Sequence, residues 1–119
     1  LERIIDISKE QGLHLDAWYT NNIDLYLTSK SKKSVLIELK TDSRTGSIYK
    51  AIGQLFYYSL THSQVKDPKL VAVFPKSRPK IKKEMKKVLG RLGIEYITYT
   101  KAKKQPKFDN TLDKILKDL

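Results

Sequence analysis

Four residues in this chain have types and spacings suited to chemistry on a phosphate. The run Val35-Leu36-Ile37-Glu38-Leu39-Lys40 is an apolar stretch ending in Glu-x-Lys. Asp24 stands fourteen residues before Glu38, and Gln54 fourteen residues after Lys40. If 23–28 and 34–40 are strands joined by the polar loop 29–33, Thr28 pairs with Ser34 and Leu27 with Val35. Continuing that register sets Asp24 opposite Glu38 on one face, with Cβ atoms about 4.5–5.5 Å apart. Carboxylates that close repel each other unless a cation lies between them. Mg2+, a hard cation that takes oxygen ligands and keeps waters, is the candidate. Lys40 lies two residues beyond Glu38 and so shares its face. Its ammonium can orient or deprotonate a water, or offset charge building on a pentacovalent phosphorus. A metal, a water and a cation are the minimal parts for hydrolysing a phosphodiester. An isolated Glu-x-Lys is ordinarily an ion pair on a solvated strand face. Leu36 on the same face, and Asp24 across the hairpin, argue against that here.

The elements that must hold these residues follow from periodicity. Residues 1–11 read as a short helix stopped by Gly12. Strands are expected over 13–19, 23–28 and 34–40 as a meander, with Leu25 and Leu27 on one face and Asp24 and Tyr26 on the other. Ser47 is expected to cap a helix running to about Ser63, with Ile48, Ile52, Leu55, Phe56 and Ser59 inward. A strand over 70–74 follows. Arg78-Pro79 then opens a helix with Ile81, Met85, Val88, Leu89 and Leu92 inward and Gly93 as its stop. The last expected strand is 94–99. Residues 101–107 read as a basic connector, and Asp109 or Asn110 caps a short amphipathic helix bearing Leu112, Ile115, Leu116 and Leu119. The fold class is α/β, a mixed sheet of about five strands flanked by helices. The expected organisation is a single domain over 1–119, with its core over 1–99 and the connector and C-terminal helix over 100–119.

Composition narrows the partners. The chain has 24 basic and 13 acidic residues, a net charge of +11, which favours a polyanion, with nucleic acid first, over a merely solubilising lysine surface. There is no cysteine, so no disulfide framework or thiolate metal site is possible, and a cytoplasmic setting fits. No apolar run approaches the roughly 18 residues that span a bilayer, so no membrane partner is expected. The chain begins at Leu1 rather than Met, which leads us to expect a trimmed chain or part of a larger one.

The set Asp24, Glu38-Leu39-Lys40 and Gln54-Leu55-Phe56-Tyr57-Tyr58 resembles the PD-(D/E)XK nuclease superfamily, the restriction-endonuclease-like fold. The Gln54-to-Tyr58 spacing is similar to the Gln-x-x-x-Tyr helix motif of its RecB-type nucleases, and Ile23 stands where the name-giving proline would be. The resemblance implies a Mg2+-dependent deoxyribonuclease, an endonuclease, with Mn2+ able to substitute. It implies that Asp24 and Glu38 bind the metal, that Leu39 lends its backbone carbonyl, that Lys40 is the catalytic lysine, and that an acid on the first helix completes the site, with Glu2 the best candidate and Asp6 and Glu10 on roughly the same face. Lys50, Gln54 and Tyr58 fall at i, i+4 and i+8 on one polar stripe, which puts Gln54 within reach of a water or phosphate and Tyr58 near a DNA backbone or base. Ser43, Arg44 and Lys50, just past the strand, are placed to touch DNA near the cut. Two alternatives stand beside this reading: a non-catalytic nucleic-acid-binding module on the same fold, and an endonuclease acting on RNA. Cutting both strands of a duplex with so small a chain would need a homodimer or a larger chain.

Overall fold

The computed structural model describes residues 4–7, 16–18, 24–29, 33–62, 67–76, 81–101, 106–108 and 111–118. Glu2, Arg78-Pro79, the cap at 109–110 and Leu119 lie outside them. Residues 4–7 form a helical turn, α1. Then come β1 (Asp16–Trp18), β2 (Leu25–Thr28), β3 (Ser34–Leu39), α2 (Thr45–Thr61), β4 (Lys69–Pro75), α3 (Lys83–Arg91), β5 (Ile94–Lys101), β6 (Pro106–Phe108) and α4 (Thr111–Lys117).

The strands make one mixed sheet in chain order, β1 to β6. β3, β4 and β5 run parallel, and the remaining neighbours are antiparallel. Hairpin register follows loop length as expected: Thr28 pairs with Ser34, Leu27 with Val35 and Leu25 with Ile37. The Ser29 amide closes the loop on the Lys33 carbonyl at 2.9 Å. β3 is buried on both faces because helices cover both, which is why its sequence is nearly continuous in apolar residues.

Alternation along the strands divides the interior in two. On one face, Tyr26, Leu36, Ala72, Phe74 and Ile94 pack with Ile48, Ala51 and Leu55 of α2 and Leu89 of α3. On the other, Leu25, Leu27, Val35, Ile37, Val71, Val73 and Ile97 pack with Ile4 of α1 and Leu112, Ile115 and Leu116 of α4. Both crossover helices sit on the first face, so the two crossovers share one hand.

Three expectations need correction. A sixth strand, β6, lies in the stretch expected to be a basic connector; its backbone pairs with β5 from Tyr99–Phe108 to Lys101–Pro106. Val88 and Leu92 are 45% and 40% exposed, because α3 starts only at Lys83 and turns Leu89 alone fully inward. Ser47 is not the cap of α2. It lies inside the first turn, and its hydroxyl donates to Asp42 Oδ1 at 2.6 Å. Gly93 does end α3, at φ +73°, a conformation that costs a side-chain-bearing residue.

Candidate active site

The carboxyl end of β3, the bend before β2 and the middle of α2 bring the four chemical residues together. Glu38 follows Leu36 on the face covered by α2 and is only 3% exposed. Lys40 continues that face and is pinned through its backbone: its amide donates to the Val73 carbonyl of β4 at 2.9 Å. Its ammonium lies 2.6 Å from Gln54 Oε1 and 3.7 Å from Glu38 Oε1. Lysine can only donate, so Gln54 presents its oxygen to Lys40 and keeps its amide NH2 for an acceptor. Asp24 sits at the bend just before β2, beyond the last ladder pair. Its Oδ2 accepts the Leu39 amide at 2.8 Å, which fixes the carboxylate at the end of β3.

The electrostatics reflect this crowding. Burial first, then the Asp24 carboxylate alongside, push Glu38 up to about 8, and Lys40 offsets only part of that. The pair therefore keeps a proton that water would remove. A divalent cation would discharge the same repulsion, and two hard anionic oxygens suit Mg2+. In a strand, a residue's N–H and C=O project to the same side. The Leu39 amide points at Asp24, so its carbonyl is turned the same way. The residues present thus fit a hard divalent ion. Among the described residues, no three His, Cys, Asp or Glu side chains come together, and Glu2 lies outside them.

The flanking positions separate. Arg44 and Lys50 are exposed, toward the start of the helix that carries Gln54. Ser43 is 3% exposed and packs inward, so its hydroxyl does not share their surface. Tyr58 is half-buried against the core, while Tyr57 beside it is 57% exposed, the two rings edge-on at 5.5 Å.

Two residues of the site are not among those the sequence singles out. Asp42 accepts from the Ser47 hydroxyl at 2.6 Å and from the Arg44 amide at 3.0 Å, contacts that hold its carboxyl below its ordinary value and set the start of α2. The spacing Asp42-x-Arg44, an Asx turn before a helix, is the signal that could have found it. Tyr99 of β5 donates its hydroxyl to the Lys40 carbonyl at 3.3 Å. Nothing local in sequence links residues 40 and 99.

No family model matches the chain, and no curated protein matches it. Among solved structures, it is similar to a repair endonuclease from Pyrococcus abyssi, with a TM-score of 0.55 and 15% identity over 80% of this chain. The match spans 42% of that protein's length. At this identity the likeness establishes a shared α/β fold.

Proposed function

We propose that this chain is a metal-dependent nuclease that hydrolyses DNA phosphodiester bonds, an endonuclease of the PD-(D/E)XK type. The observation that carries the proposal is the meeting of Asp24, Glu38, Lys40 and Gln54 at one end of β3. Three of the four lie on separate elements, and Lys40 touches two of the others. The fold shared with a repair endonuclease and the net charge of +11 support it. The choice of DNA over RNA rests on the family resemblance.

Asp24 and Glu38, with the Leu39 carbonyl, would hold Mg2+, which supplies Lewis acidity toward a phosphate oxygen and lowers the pKa of water. Gln54 holds Lys40 over the carboxylates, so its ammonium faces the position where a phosphate would lie. There it neutralises charge gathering on phosphorus, or orients the attacking water for in-line displacement. The Gln54 NH2 can donate to a phosphate oxygen or that water. Burial of Glu38 excludes bulk water from one side of the centre, which strengthens each of these interactions.

Incubation with labelled DNA and RNA of several structures in Mg2+, Mn2+ or EDTA tests the proposal. Cleavage is expected only with metal, and Asp24→Ala and Glu38→Ala should abolish it. Robust Mg2+-dependent cleavage by either variant would overturn the assignment. A chain that binds oligonucleotides but neither binds Mn2+ nor cleaves is a scaffold instead.

A further inference from the structure

A second feature sits at the same end of the sheet as Lys40. β4, β5 and β6 border a cavity of about 200 Å³ lined by Lys76, Thr98, Tyr99, Thr100, Lys107 and Phe108. Its register ties it to the proposed centre. Thr98 pairs with Phe74, which lies on the α2 face, and Thr100 pairs with Lys107. Glu38 pairs with Ala72 on that same face, so Glu38, Lys40, Thr98, Thr100 and Lys107 all project from one side of the sheet. The backbone is stitched across this end as well. The Lys76 amide donates to the Tyr99 carbonyl at 2.9 Å, and the Tyr99 hydroxyl reaches the Lys40 carbonyl.

The lining is what a phosphodiester chain requires. It offers two exposed ammoniums and the hydroxyls of Thr98 and Thr100 beside that of Tyr99, and among the described residues no acidic side chain lines it. The larger cavity, about 530 Å³, makes the contrast. It lies at the opposite end of β4 and β5. There Lys69 is paired with Glu95 at 3.0 Å, and Lys86 is engaged over the Tyr96 ring at 5.7 Å. Its positive charge is largely answered from within.

We infer that Lys76, Thr98, Thr100 and Lys107 form a phosphate track, along which the DNA strand leaves the Asp24–Glu38–Lys40 centre and crosses β4 and β5 to β6. The track rests on the nuclease reading of that centre. From β3 to β6 is three strand spacings, roughly 14–15 Å. That span admits a short stretch of one strand on one side of the cut, with Lys76 and Lys107 each placed for one phosphate. Contacts of this kind set position and affinity without reading bases.

The test is binding of a fluorescein-labelled single-stranded oligodeoxynucleotide of about twelve residues, in EDTA, across a salt series. Lys76→Gln/Lys107→Gln should weaken binding about tenfold. It should also reduce the steepness of log K against log salt by about 1.4, the release expected from two single-strand phosphate contacts. Lys76→Arg/Lys107→Arg should retain both. The control Lys69→Gln/Lys86→Gln, at the far cavity, should change neither by as much. An unchanged slope in the first variant, or an equal loss in the control, would overturn the track. Because binding is read without metal, failure of the track and failure of the nuclease reading are distinguishable. A wild-type chain that binds with the expected slope yet never cleaves would sink the nuclease reading alone.

Discussion

At the residue scale, Glu38 is where folding and function pull apart. Its carboxyl titrates near 8 when folded, against an ordinary value of 4.5. Between those pH values the folded chain binds more protons than the unfolded one, so stability falls as pH rises. The slope cannot exceed about 1.4 kcal/mol per pH unit for one group. Metal-free protein should therefore melt at a lower temperature at pH 8 than at pH 5.5, and Glu38→Gln should flatten the profile, as calorimetry across pH would show. Mg2+ should raise the melting temperature more at pH 8 than at pH 5.5, since it replaces the proton that the pair retains. Lys40 separates binding from chemistry. Lys40→Ala should cut the cleavage rate by about 10²–10³-fold while oligonucleotide affinity is largely kept, measured by single-turnover kinetics beside anisotropy. The chemical residues are legible in the sequence because a five-residue loop fixes the hairpin register. Their partner Tyr99 is not, because it reaches Lys40 from two strands away.

At the element scale, α2 must begin in the right place for Gln54 to meet Lys40. Asp42 sets that start by accepting from Arg44 and Ser47. Asp42→Ala should lower the midpoint of denaturant unfolding slightly, and should also lower cleavage because Gln54 shifts with its helix. Helix and strand identities are readable where the apolar period is strong, as in β3 and α2. β6 is not: Pro106-Lys107-Phe108 is too short and too basic to carry a period, and it is a strand only because β5 extends to Lys101 and offers it an edge. The start of α3 is equally hidden, since Ile81 is buried just ahead of the helix rather than within it.

At the scale of the whole molecule, the sheet is a partition. Glu38 and Ile37 are sequence neighbours, yet one faces the proposed centre and the other the core under α4. Among the described residues, no helix is long and apolar enough to cross a membrane. The amphipathic last helix, which could have been a surface for a second subunit, instead buries Leu112, Ile115 and Leu116 against the sheet. Leu116→Ala should thus lower stability by about 2–5 kcal/mol. Well below its melting temperature, the same variant should cleave at the wild-type rate, which thermal melts and kinetics on one preparation would decide. For anyone adapting this chain as a tool, that partition offers two dials. Heat tolerance can be tuned by repacking beneath α4, away from Tyr99 and Phe108, and affinity for nucleic acid by redrawing the lysines of the opposite face.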